Sequence, residues 1–207
     1  VLTGVTASAD SIDVDLSGLA DGKYTLTISA KDVDGIESAP ARLVFWIEPE
    51  AFDWRDALIY MIVTDRYKDG DPGNNAVPDP DVQDLRADFQ GGDLEGIRQK
   101  IADGTLDALG VRALWLTPFQ TNPAGDYAAS DGQHNVTGYH GYWPIKAREV
   151  DPRLGGEAAL HALVKEAHAH GIRILMDYVV NHVHQDHEYY QQHPGWFRTG
   201  CVWGTAG

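Results

Sequence analysis

One cysteine in 207 residues excludes a disulfide within the chain, so the fold is not a small scaffold held by bridges. Basic residues are scarce as well. Sixteen Lys and Arg face 31 Asp and Glu, and the resulting net charge of −15 excludes nucleic acid or an anionic membrane surface as partner, since both would be repelled. No apolar run reaches the roughly 18 residues of a membrane span. The chain opens on Val1 with neither Met nor a signal peptide, and is expected to be processed or trimmed. The first buried-strand pattern is not followed by GxGxxG or GxxxxGK, the glycine patterns with which nucleotide-binding sheets cradle phosphate. At 43% hydrophobic and 23% charged, the composition is that of an ordinary globular protein. Its acidic balance suits a neutral substrate or hard cations, and plain solubility accounts for it equally.

Residues 1–50 read as all-β. SIDVDLSGL alternates Ile12, Val14 and Leu16 with polar residues, GKYTLTISA alternates Tyr24, Leu26 and Ile28, and Leu43–Ile47 supplies a third strand. Asp21-Gly22 is a hairpin-type turn signal between the first two. The expectation is the closing portion of an immunoglobulin-like sandwich, with Tyr24 and Trp46 pointing inward and DVDG (Asp32–Gly35) a turn, since it lacks the ligand spacing of an EF-hand.

The pattern changes after Glu48-Pro49-Glu50. ALIYMIV (Ala57–Val63) is a continuous apolar run, as in a strand buried on both faces. A helix is predicted from about Asp93, with Leu94, Ile97 and Ile101 on one face. VRALWL (Val111–Leu116) is a second buried strand. A second helix starts at Gly156 with Leu160, Leu163, Val164 and Ala167 as its stripe and stops at Gly171. IRILMDYVV (Ile172–Val180) is the third strand. Strand, helix, strand, helix, strand argues for a parallel sheet. Long loops follow the strands and short ones the helices, as in a (β/α) barrel whose site lies at the strands' C-terminal ends.

Two loops carry candidate chemistry. Asp69, Asp71, Asn74 and Asn75 offer four oxygen ligands around a Pro72-Gly73 bend, and Gly91 and Asp93 add a carbonyl and a carboxylate. Calcium wants six to eight oxygens, but the same residues also make solvated turns. YHGYWP (Tyr139–Pro144) places aromatic faces, which stack on sugar rings, where a barrel mouth would be; the same aromatics also suit a core.

In order, IYMIVTDRYKDGDPGNN, FQGGDLEGI, ALWLTPF, YHGYWPIKAREVDPRLGG and ILMDYVVNH resemble the first half of the catalytic barrel of the α-amylase family, retaining α-glucan hydrolases and transglycosidases. The resemblance covers about residues 57–183. It implies an α/β fold: a partial (β/α)8 TIM barrel over 51–181, the start of an inserted small domain over 182–207, and the sandwich segment before them. It implies that Asp177 orders the catalytic centre and that Tyr142 stacks on a sugar with His140 and Trp143 nearby. His182 would bond that sugar. Asn181 would ligate a structural calcium, and Asp69, Asp71, Asn74, Asn75, Gly91 and Asp93 would form a second calcium site. The expected partner is an α-1,4-glucan, starch or maltodextrin. Nucleophile and acid/base would lie after later strands, outside residues 1–207. Residues 1–207 alone are then expected to be inactive and to associate with the remainder of the barrel.

Two other functions compete. The first is a non-catalytic amylase-like barrel for binding or assembly. The second is a zinc hydrolase, because HVHQDH (His182–His187) spells the His-x-His-x-Asp-His ligand pattern of metallo-β-lactamase-like enzymes. Five ordered blocks outweigh one short pattern. HVHQDH is therefore expected to be fortuitous, with only His182 functional. Cys201 is expected to pair beyond Gly207, which requires an oxidising compartment and points to a secreted or periplasmic protein.

Overall fold

The structure, a computed structural model, describes residues 5–8, 10–129 and 131–198; Cys201 lies outside them. The chain divides into two compact units, Val1–Arg55 and Asp56–Gly207.

The first unit contains two antiparallel hairpins. Strand β1 (Val5–Ala7) pairs with β2 (Ile12–Val14), and β3 (Gly22–Ile28) pairs with β4 (Ala41–Ile47) from Gly22↔Ile47 to Ile28↔Ala41. The register gathers Tyr24, Leu26 and Ile28 with Phe45, Leu43 and Ala41 on one face, where Tyr24 stacks on Phe45 at 5.7 Å. Tyr24 and Trp46 are half-buried. The expected hairpin through Asp21-Gly22 does not form, because β2 pairs with β1 across a turn closed by Ser8 and Ser11. Alternation had identified each strand's faces but not its partner. DVDG forms a turn in which Asp32 Oδ1 accepts the N–H groups of Asp34 and Ile36.

In the second unit, β5 (Leu58–Ile62), β6 (Val111–Leu116) and β9 (Arg173–Met176) form a parallel sheet with β6 in the centre. Between β5 and β6 run the short helix α1 (Thr64–Tyr67), then α2 (Leu94–Ala102) and the one-turn α3 (Thr105–Ala108). Between β6 and β9 run a small hairpin, β7 (Asp126–Ala128) with β8 (Asn135–Thr137), and the long α4 (Gly156–Ala169); α5 (Glu188–Gln192) follows β9. The predicted stripes are the buried ones: Leu94, Ile97 and Ile101 of α2 and Leu163 and Ala167 of α4 pack with Ile62, Leu114 and Leu116 into one core. Helix α4 ends as the sequence indicates, with Gly171 at φ 68°, a conformation that costs a glycine nothing.

Two expectations need correction. ALIYMIV is not buried on both faces: Leu58, Ile59, Tyr60 and Met61 remain exposed and only Ile62 is buried. The described residues supply helices for one face of the sheet, while Ile59, Met61 and Trp115 share the other and stay exposed. The third strand is also shorter than the apolar run. Asp177 N–H still bonds Leu116 O, and the chain then leaves the ladder.

Leu163 is fully buried where α4 meets α2. Leu163→Ala should cost about 2–5 kcal/mol in urea denaturation. A loss near the roughly 0.5 kcal/mol of a surface substitution would contradict this packing.

Candidate active site and metal loop

All the candidate residues lie in the segments that follow the C-terminal ends of the parallel strands. After β6, YHGYWP folds back over the strand end through Gly141. Its φ of 85° and the 2.1 Å that would separate a Cβ there from Pro118 O leave room for no other residue. Asn122, which is buried, fixes the same loop: its Nδ2 donates to the Gly141 carbonyl at 3.2 Å and its Oδ1 accepts Trp143 N–H at 2.8 Å. Asp151 in turn accepts Asn122 N–H at 3.0 Å and is clamped by the Arg153 guanidinium, which also donates to the carbonyls of Asn122 and Pro123. Neither Asn122 nor the Asp151–Arg153 pair was singled out from sequence. The only signal was NP and DPR at turn positions, which marks a turn but not what it holds.

The loop arranges an aromatic platform. His140 stacks on Tyr142 at 5.8 Å and meets Trp143 edge-on at 4.7 Å. His140 Nδ1 accepts Tyr142 N–H at 3.0 Å, so the neutral ring carries its proton on Nε2, a donor. Burial, with Arg66 and His182 nearby, lowers the pKa of His140 and keeps the ring neutral at pH 7. Tyr142 Oη donates to Asp177 Oδ2 at 2.7 Å, joining the loop after β6 to the end of β9. Burial first, and then this bond and the charge of Asp177, push the Tyr142 phenol up to about 12. His182, exposed on the loop after β9, donates from Nε2 to Tyr142 O at 2.9 Å, which leaves Nδ1 as an acceptor. Asp177, His140, Tyr142, Trp143 and His182 are thus brought together. Asn181 is exposed beside His182 and lines, with Gln120, Pro144, His182 and Tyr189, an open cavity of about 1090 Å³.

The second cluster lies between α1 and α2. Asp93, fully buried, caps α2 and collects four donors: Gly70 N–H and Gly96 N–H on Oδ1, Asp71 N–H and Asn74 Nδ2 on Oδ2. Asn75 Nδ2 donates to Asp69 Oδ2 at 2.8 Å, and Asp71 Oδ1 accepts Gly73 N–H. Gly91, at φ 83°, lies so close to Asn75 that a Cβ there would fall 2.7 Å from its Oδ1. Asp69 Oδ1 and Asn74 Oδ1 are buried and accept no hydrogen bond. Two dehydrated acceptors with no donor are costly unless a cation meets them, so this oxygen-only set fits a hard cation.

HVHQDH does not assemble ligands. His182 bonds Tyr142 O, His184 Nδ1 accepts Asp186 N–H at 3.2 Å, and His187 is buried with Nδ1 accepting Tyr189 N–H at 3.0 Å. Among the described residues, the one group of His, Cys, Asp and Glu close enough to share an ion is Asp79, Asp81 and Asp126. Sequence reading missed that group because Asp126 reaches it from the β7–β8 hairpin. It also missed Arg66, whose guanidinium lies 3.7 Å over the Tyr139 ring and bonds the carbonyls of Arg86 and Asp88.

The raised pKa of Tyr142 has a testable sign. The neutral phenol is the donor to Asp177, so the stabilisation is complete below the ordinary pKa of 10.0 and is lost as pH rises towards about 12. The difference between ultraviolet titrations of the wild type and Tyr142→Phe should centre near about 12. A midpoint at the ordinary value would show that the bond is absent.

Residues 61–195 match the family profile described as the alpha amylase catalytic domain. A periplasmic alpha-amylase of Escherichia coli (strain K12) is 38% identical over 134 residues, 63% of this chain and 20% of that protein. A cyclomaltodextrin glucanotransferase of Bacillus sp. (strain 1-1) is 38% identical over 133 residues, 60% of this chain and 17% of its own length. The crystal structure of an alpha-amylase from Geobacillus thermoleovorans complexed with acarbose superposes with a TM-score of 0.53 at 33% identity, covering 70% of this chain and 28% of that one. The chain thus spans about a fifth of the length of these curated relatives. Strand order, the site at the strand ends and the profile match agree: the chain belongs to the alpha-amylase family.

Proposed function

We propose that the protein is an α-glucan-active glycoside hydrolase of this family, cleaving α-1,4 links by retaining double displacement. The observation that carries the reading is the Tyr142–Asp177 hydrogen bond with His140 stacked beside it, at the C-terminal ends of parallel strands. Tyr142 offers a ring face to the apolar face of a sugar. His140 Nε2–H donates to a hydroxyl, His182 Nδ1 accepts from one, and Asp177 fixes the tilt of Tyr142. The nucleophile and the acid, which retaining enzymes hold about 5–5.5 Å apart, lie outside residues 1–207 on this reading. The sandwich segment (1–50), barrel part (51–181) and inserted-domain start (182–207) are read as three domains, the first supported by the apolar face of β3 and β4. The remaining barrel is the partner that covers Ile59, Met61 and Trp115. A secreted or periplasmic location is supported by a relative named as periplasmic.

Calcium is the proposed metal. Asp69 and Asn74 would hold it with Asp71, Asn75 and the Gly91 carbonyl, while Asp93 braces the loop. Asn181 belongs to a second site between barrel and inserted domain. Calcium supplies no chemistry to bond cleavage; it neutralises and stiffens the loop.

The polypeptide that carries these residues together with the rest of the barrel should release reducing ends from soluble starch, and Tyr142→Ala should lower kcat/KM by at least about tenfold. Residues 1–207 alone should show no rate. Starch binding without turnover by the longer polypeptide would select the non-catalytic barrel instead, and stoichiometric zinc would revive the HVHQDH site. In thermal melts, calcium at about a hundredfold over its Kd should stabilise the protein by about 2.7 kcal/mol, and Asp69→Ala should abolish that gain. Identical melting in calcium and in chelator would remove the metal.

A further inference from the structure

HVHQDH does not gather its side chains as a ligand set, yet the segment that contains it is held against the platform loop. His182 Nε2 donates to Tyr142 O at 2.9 Å, His184 N–H to Pro144 O at 3.3 Å, and Glu188 N–H to Ile145 O at 3.0 Å. Glu188 Oε1 accepts Ala147 N–H at 3.0 Å in return. The segment after β9 is therefore tied at His182, His184 and Glu188 to the loop that carries the aromatic platform. Midway along this contact the His184 side chain, only 10% exposed, packs against a pair of rings. Tyr127 of β7 meets it edge-on at 4.5 Å and Trp143 lies at 6.2 Å, while Tyr127 and Trp143 meet each other at 5.7 Å. Trp143 is in turn the edge partner of His140. One imidazole thus joins three separate pieces of chain: the β7–β8 hairpin, the platform loop and the segment after β9.

We propose that His184 is a positioning residue for glucan binding: its ring, packed against Tyr127 and Trp143, fixes the tilt of the His140–Tyr142 platform. Its effect on glucan rests on the function proposed above; its effect on the loop does not. The ring and the Nδ1 acceptor are separable. His184→Phe keeps a ring and loses the acceptor for Asp186 N–H, His184→Asn keeps an acceptor of similar reach and loses the ring, and His184→Ala loses both. An aromatic contact of this kind corresponds to about a two- to tenfold effect on an equilibrium.

The test measures hydrogen–deuterium exchange over residues 126–147 and steady-state kinetics on maltodextrins, with all four proteins made as the active full-length polypeptide. His184→Ala and His184→Asn should speed exchange in 139–147 and raise KM about two- to tenfold with kcat within about twofold of wild type. His184→Phe should stay near wild type in both. Unchanged exchange in His184→Ala overturns the proposal, as does a His184→Phe as impaired as His184→Ala, or a loss confined to kcat. If the wild type does not act on glucans, exchange alone decides: faster exchange in the ring-less variants upholds the positioning contact while the glucan reading falls.

Discussion

Long loops carry little apolar surface, so burial alone cannot hold them, and each backbone N–H they remove from water needs an acceptor. In this protein buried aspartates provide those acceptors, and the rest of the architecture depends on them. Asp65 takes the N–H groups of Gln90 and Gly91. Asp88 takes Asp79 and Phe89, Asp93 takes Gly70, Asp71 and Gly96, and Asp151 takes Asn122 and Arg153. All four are at most 3% exposed. A carboxylate that receives several backbone donors is partly repaid for its lost hydration. At Asp65 burial still outweighs the donors and raises the pKa above the ordinary carboxylate value. Each of these aspartates stands where a loop returns to the sheet and its helices, so the loop ends are fixed there.

This division of labour explains why the helices and central strands were legible in the sequence and the site was legible only in part. A stripe such as Leu94, Ile97 and Ile101 reports its own burial, because the helix period and the core face are one fact seen twice. Likewise Val111–Leu116 could be read as a strand from its letters. What the letters do not encode is the partner. Alternation in Ile12–Val14 was real, yet pairing went to Val5–Ala7 rather than to the strand beyond Asp21-Gly22. Nor did DGQH announce that Asp131 would close a hairpin by accepting the N–H groups of Gln133 and His134.

The site shows the same limit. Tyr142, His140 and Asp177 could be nominated as a set because the order of the family's blocks places them, and the structure brings their side chains into contact. Asn122 and Arg153 could not, since their contribution is a bond to a backbone more than fifteen residues away. His184 was visible but without a role, because HVHQDH reads as a fortuitous pattern with only His182 functional. A metal-like pattern speaks only of nitrogens, whereas the structure shows the His184 ring packed against Tyr127 and Trp143.

The strand order of the sheet bears on how the molecule comes into being. Because β5, β6 and β9 are neighbours in the order in which they are made, each strand finds its partner already present when it leaves the ribosome. Growth can then proceed in one direction, one strand and its helix at a time. The open edge of β9 is then the template: a strand that adds there meets a row of backbone donors and acceptors whose register is already set.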